Sequence, residues 1–243
     1  MSNSTELTRD TLFEGHLVIY QPREGYRFSI DALLLAGFIT LRPGDRALDL
    51  GAGCGVISLV LAYRYPKSII AGLEIQARLV RCFTRNIREN RLAQQVFAVL
   101  GDLRRPPFRP GAFDVVFTNP PFRPPEAGRL SPNEEERLAR HEILSSLEDV
   151  LEAVRMLLRN RGRFFIIYPA HRLATLMAKA KGFRLEPKRL QVVHSYPGDE
   201  GRLVLLEAVK GGGEELRVLP PFFIYQHPGG PYTSQAEKLF VLY

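Results

Sequence analysis

From about residue 45 the chain alternates short apolar runs with longer amphipathic segments, and this alternation narrows the fold more than any other feature. The runs are "RALDLG" (46–51), "SIIAGLE" (68–74), "VFAVLG" (96–101), "FDVVFTN" (113–119), "GRFFIIYP" (162–169), "RLQVVHS" (189–195) and "RLVLLEAV" (202–209). Between the early runs lie "GVISLVLAYRY" (55–65) and "QARLVRCFTRNIREN" (76–90), both with helical spacing. Strands alternating with helices build βαβ units and a largely parallel sheet covered on both faces. The last two runs are joined by "YPGDEG", too short for a helical crossover, so they should pair antiparallel. The expectation is an α/β fold: a seven-stranded, mostly parallel sheet with an antiparallel final strand. Residues 135–160 read as one helix, with Leu147, Val150, Leu151, Val154 and Leu158 at three- and four-residue steps and Asn160-Arg161-Gly162 as its stop.

Two flanks complete the organisation. Residues 1–44 hold a short strand or hairpin and a helix, residues 45–210 form the α/β domain, and residues 211–243 form an appendage packed on that domain. The 243 residues are 45% hydrophobic, enough for a core. No apolar run approaches the length of a membrane span, and "MSNSTELTRD" lacks the basic and apolar regions of a secretory signal. The chain therefore reads as soluble and cytoplasmic. Its two cysteines, Cys54 and Cys82, have no CxxC spacing, so neither a metal site nor a disulfide is expected. The net charge is +7, and 27 of the 33 basic residues are arginine. Nucleic acid is one partner that such a balance suits; arginine-favouring genome composition or thermal adaptation is the plainer explanation.

"Asp49-Leu-Gly51-Ala-Gly53-Cys-Gly55" follows a strand and opens a helix. Glycines there permit a tight turn and close approach of a ligand, and the helix N-terminus supplies free N–H groups. The glycines fall at alternate positions, unlike the GxGxxG of dinucleotide sites. Asp49 inside the turn disfavours a pyrophosphate and suits a cationic amino-acid group. Glu74 ends the second strand, where a carboxylate can accept from a ribose diol, and Asp102 ends the third.

Asn119 stands at the carboxyl end of the fourth strand, in "FTNPPF". Alone, Pro120 and Pro121 would be a strand stop. Together with the upstream turn, Glu74 and Asp102, they place polar groups at one rim of the sheet. An exocyclic amine on a base is a poor nucleophile because its lone pair is delocalised. The Asn119 side-chain oxygen and the Pro120 carbonyl can hold its two hydrogens, and Phe122 can stack on the base.

These motifs carry a resemblance. "DLGAGCG", "GLEIQ", "GD" and "NPPF" resemble the Rossmann-like class I S-adenosylmethionine-dependent methyltransferases that bear a [DNS]PP[YFW] signature. "YRFSIDALLLA", "RLARHEILSSLEDVLEAVRMLLRNRGRFFIIYPAHRLATLM" and "RLVLLEAVKGG" are similar to the bacterial tRNA1(Val) adenine-37 N6-methyltransferases, over roughly residues 15–210. The resemblance implies S-adenosyl-L-methionine as cofactor and S-adenosyl-L-homocysteine as product. It implies that Asp49, Gly51, Gly53 and Gly55 line the methionine part, that Glu74 with Ile75 holds the ribose, and that Asp102 with Leu103 meets the adenine. Asn119, Pro120, Pro121 and Phe122 would hold the target base, with Asn119 also touching the cofactor. Phe28 and Asp31, in an N-terminal segment that closes over the cofactor, are further cofactor candidates. Arg123 and His141 are substrate candidates, His141 within an Arg140-His141-Glu142 signature of unassigned role.

The acceptor implied is an adenine N6 in a tRNA anticodon loop, with RNA as the partner. The same signature serves guanine N2 in ribosomal RNA, adenine in DNA and a glutamine amide in protein. A non-catalytic RNA-binding module on the same scaffold is the reading of a different class. Arg78, Arg81, Arg85 and Arg88 share a helix face that solvent alone would satisfy, whereas Arg104, Arg105, Arg109, Arg123 and Arg129 flank the site in loops and are the better phosphate contacts.

Overall fold

The computed structural model describes residues 7–23, 29–120 and 145–241. A hairpin of β1 (Leu7–Leu12) and β2 (Leu17–Pro22) precedes α1 (Ile30–Phe38). Then follow β3 (Arg46–Leu50), α2 (Val56–Arg64), β4 (Ile69–Glu74), α3 (Ala77–Glu89), β5 (Val96–Leu100) and β6 (Phe113–Thr118). The second half contains α4 (Leu147–Leu157), β7 (Leu158–Pro169), α5 (Leu173–Gly182), β8 (Leu185–His194) and β9 (Gly201–Lys210). The tail adds β10 (Arg217–Val218), β11 (Phe222–Phe223) and α6 (Ser234–Glu237).

The main sheet runs β10-β8-β9-β7-β6-β3-β4-β5, with β11 also on β8. Every pairing is parallel except those of β9 with β7 and β8. The seven expected strands are β3 to β9, and β9 is the antiparallel one. The tail's two short strands bring the sheet to nine. The unit is α/β, and strand order reverses between β3 and β6, which opens a crevice at their carboxyl ends.

Side chains alternate between two cores, as a sheet buried on both faces requires. In β7, Phe165 and Ile167 join α1, α2 and α3 on one face, while Phe164 and Ile166 join α4 and α5 on the other; all four are fully buried. The tail belongs to the first face, where Phe222, Ala236 and Leu239 are buried against it.

The single helix expected over 135–160 is corrected at both ends of its described part. Ser146 caps α4, accepting from the Asp149 N–H while the Asp149 carboxylate accepts from the Ser146 N–H. This capping box starts a new helix at Leu147 rather than continuing one. The helix stops at Leu157, because Leu158 is already extended and pairs with Phe113 of β6. Leu158 fills the core from a strand, so its helical spacing in sequence misleads. Residues 135–144 lie outside the described residues.

The hairpin is held to α3 by two side-chain amides one helical turn apart. Asn86 accepts from the Tyr20 N–H (2.7 Å) and donates to the Tyr20 carbonyl (2.8 Å). Asn90 repeats the pattern at Val18, at 2.8 and 2.7 Å. Each amide stands in for a neighbouring strand's peptide group, satisfying the open edge of β2.

Candidate functional site

The glycine-rich turn leaves β3 at the crevice. Gly51, Gly53 and Gly55 have φ of 75°, 58° and 85°, in the left-handed region where an L side chain is strained. The N–H groups of Gly51 and Ala52 both donate to the Leu73 carbonyl, which pins the turn to β4. The Glu74 carboxylate braces it from the side, accepting from the Gly53 N–H (2.9 Å) and from the Gln76 N–H (2.9 Å). Glu74 is nearly buried but keeps one edge on the crevice. Across the crevice, the Thr118 hydroxyl donates to the Leu50 carbonyl (2.7 Å) and ties the end of β6 to the end of β3, directly behind Asn119.

These groups enclose a pocket of about 160 Å³. Gly51, Gly53, Glu74, Ile75, Asp102, Leu103, Asn119 and Pro120 line it, so eight of the candidate residues meet at one rim. Asp102 is held in place by Arg104, whose guanidinium and backbone N–H both donate to it, and the pair keeps the carboxyl below the usual range. The Asn119 side chain makes no hydrogen bond with the described residues, so its amide is available to a ligand.

Three candidates sit elsewhere. Asp49 lies beneath the turn, 1% exposed, with its carboxylate accepting from the Ser58 hydroxyl (2.8 Å). Burial pushes its carboxyl up to about 7, the Ser58 bond opposing and the Glu74 charge adding to the shift. Gly55 faces inward: a Cβ there would come 2.0 Å from the Phe83 ring, so this glycine makes room for α3. Asp31 stands in the first turn of α1 behind the cap Ser29, outside the pocket lining, and burial raises its carboxyl. Phe28, Pro121, Phe122, Arg123 and His141 lie outside the described residues.

Several participants escaped sequence reasoning. Gln76, Leu79, Thr118 and Ser145 line the pocket. Asn86 is fully buried and, besides clasping β2, donates to the Cys54 carbonyl (2.9 Å), so one amide joins the hairpin to the glycine-rich turn. The available signal was a pair of asparagines four apart on the apolar face of an amphipathic helix. Among the described residues no His, Cys, Asp or Glu cluster is placed to hold a metal, and no helix is long and apolar enough to cross a membrane.

A glycine turn, a strand-end carboxylate and an Asn-Pro at the rim line one crevice. Residues 29–178, which contain all of it, match the methyltransferase small domain family. The chain belongs to that family. The methyltransferase is 30% identical over 203 residues to the tRNA1(Val) (adenine(37)-N6)-methyltransferase of Flavobacterium johnsoniae, a match covering 82% of this chain and 85% of the relative. It is 29% identical over 189 residues to the protein of the same description from Porphyromonas gingivalis, with 74% and 73% covered. Among solved structures, the methyltransferase resembles an Agrobacterium tumefaciens protein described as a predicted O-methyltransferase. The TM-score is 0.70 at 20% identity, with 88% and 98% of the two chains covered. It also resembles the geranyl diphosphate C-methyltransferase of Streptomyces coelicolor, solved with S-adenosyl-L-homocysteine, at TM-score 0.54, 16% identity and 73% and 78% coverage. At these identities the two structures establish the shared fold.

Proposed function

We propose that this methyltransferase uses S-adenosyl-L-methionine to methylate an adenine N6 of tRNA, in the anticodon loop. The observation that carries the reading is that Asn119 and Pro120 open on the same pocket as Glu74 and the glycine-rich turn. The names of the relatives support tRNA adenine as the acceptor, and the S-adenosyl-L-homocysteine bound in a structural neighbour supports the cofactor.

The residues present suit that cofactor. Each Glu74 oxygen accepts one backbone N–H and retains a lone pair for a ribose hydroxyl. At Gly51 a Cβ would meet nothing within 4 Å, so the rim of the turn is open to a ligand. Gly51 and Gly53 would face the methionine part, Ile75, Asp102 and Leu103 the adenosine. When bound, the cofactor supplies an electrophilic methyl group on a sulfonium. The chain's own contribution is orientation. The Asn119 oxygen and the Pro120 carbonyl accept the two hydrogens of the target amine and favour its move toward tetrahedral geometry. Rigid placement of this kind supplies much of the rate in a direct transfer. By the family resemblance, Pro121 would complete the motif, and Phe122 with Arg123 and His141 would meet the RNA.

Replacing Asn119 tests the assignment. Asn119→Ala should hold S-adenosyl-L-homocysteine with affinity within about threefold of wild type. Its methyl transfer to tRNA should fall by about 10² or more, the scale of losing one directed polar contact to a reacting group. Calorimetry and radiolabel transfer read the two quantities, and undiminished turnover would remove Asn119 from the mechanism.

A further inference from the structure

Several arginines of the described residues are matched to a carboxylate. Arg46 and Arg159 share Asp114, Arg104 takes Asp102, Arg155 takes Glu152 and Arg202 takes Asp199. The more buried Arg163 and Arg189 pair with Asp45 and Glu207. Helix α3 instead gathers four arginines on one face. Arg78, Arg81, Arg85 and Arg88 follow one another at steps of three, four and three residues, which confines them to about a quarter of the helix circumference. Arg81, Arg85 and Arg88 are exposed, and none of the three forms an ion pair among the described residues. The helix carries one acid, Glu89.

Like charges at these spacings weaken a helix, so an external anion on this face would be favoured. Arg85 is also pre-positioned, with its guanidinium 3.7 Å from the centre of the Tyr20 ring on β2. The row begins beside the site: Gln76, which caps α3, lines the pocket. From there thirteen residues carry it about 20 Å along the flank of the molecule. In the loop after β5, Arg104 is by contrast already committed to the pocket-lining Asp102.

We propose that the arginine row of α3 is the docking ridge for the phosphate backbone of the RNA substrate, leading from the pocket mouth down the flank of the domain. The inference rests on the RNA reading above and adds where the RNA lies. Guanidinium groups on successive turns match a chain of phosphates and carry no sequence information, so the ridge sets register while the pocket selects the base.

The test compares two charge-matched double variants of the full chain. Arg81→Gln with Arg88→Gln removes ridge charges, and Arg155→Gln with Arg202→Gln removes charges that are paired elsewhere. Binding of unfractionated tRNA is measured by filter retention at several salt concentrations, together with the KM for tRNA in methyl transfer and the affinity for S-adenosyl-L-homocysteine. The ridge variant should lose about tenfold in tRNA affinity, and its slope of log K against log salt should shrink by about 1.4 to 1.8, as for two lost phosphate contacts. The loss should appear in KM, with cofactor affinity unaltered and the control variant matching wild type. An unchanged slope in the ridge variant, or an equal fall in the control, would overturn the ridge and leave the tRNA reading standing. Absence of methyl transfer from the wild-type chain to any tRNA would overturn both.

Discussion

Asp49 and Glu74 end adjacent strands, and their surroundings give them opposite tasks. Glu74 accepts two backbone N–H groups and faces the pocket; Asp49 accepts from the Ser58 hydroxyl and faces the core. Burial lifts the Asp49 carboxyl to about 7 in the folded chain, against about 3.9 when unfolded. Between those values the folded state holds a proton that the unfolded state has released. Stability of the cofactor-free protein should therefore decline from about pH 4 to pH 7 and level off above. Asp49→Asn keeps an acceptor for Ser58 and removes the buried charge. It should exceed wild type in stability at pH 8 by an amount on the order of a few kcal/mol and lose that advantage near pH 4, as read by denaturant melts. A variant no more stable than wild type at pH 8 would refute the assigned ionisation.

At the scale of elements, α3 organises the site from its buried side. Phe83 fills the notch left by two glycines: a Cβ at Gly55 would come 2.0 Å from its ring and one at Gly72 2.3 Å. Gly55→Ala combines that overlap with a positive φ and should destabilise by about 3 kcal/mol or more, while Gly51→Ala, with strain alone, should cost roughly 1–2 kcal/mol. Equal losses in chemical denaturation would contradict the packing role. Asn86→Ala removes the side-chain partner of the Tyr20 N–H and of the Cys54 carbonyl and leaves the Tyr20 carbonyl with the Cys82 thiol, and should cost roughly 2–4 kcal/mol. Faster amide exchange across β2 would accompany it. The elements themselves were largely legible. Seven apolar runs became β3 to β9 because a sheet covered on both faces needs continuous apolar strands. The boundary at Leu158 was not legible, since its spacing fits helix and only pairing with Phe113 makes it strand. Within the site, the DxGxGxG pattern named Gly51 and Gly53, which line the pocket, together with Asp49 and Gly55, which do not. It could not separate them from Asp49 and Gly55, because facing inward or outward is decided by Ser58 and Phe83, remote contacts that no spacing encodes. Asn86 was invisible for the same reason.

At the scale of the whole molecule, the tail completes the edge of the sheet. β10 and β11 pair with β8, and Phe222, Ala236 and Leu239 enter the core beside α1. Ending the chain at Gly213 would uncover that core and expose an unpaired strand. Burying two large apolar side chains is worth roughly 3–6 kcal/mol, so the truncated protein should melt well below the full chain and aggregate through the open edge of β8. Equal thermal stability and solubility would show the tail to be a passenger. The same molecule presents a pocket where β3 and β6 diverge and an arginine row along α3 that starts at its mouth. The proposed reaction is methyl transfer to an adenine amine of tRNA. It is tested by mass spectrometry of nucleosides and of amino acids after incubating the full chain with isotopically labelled S-adenosyl-L-methionine and unmodified tRNA, ribosomal RNA and protein fractions. The expected result is labelled N6-methyladenosine in the tRNA fraction, lowered about 10²-fold or more in Asn119→Ala. Label recovered as N2-methylguanosine in ribosomal RNA, or as methylglutamine in protein, with none in tRNA, would contradict it.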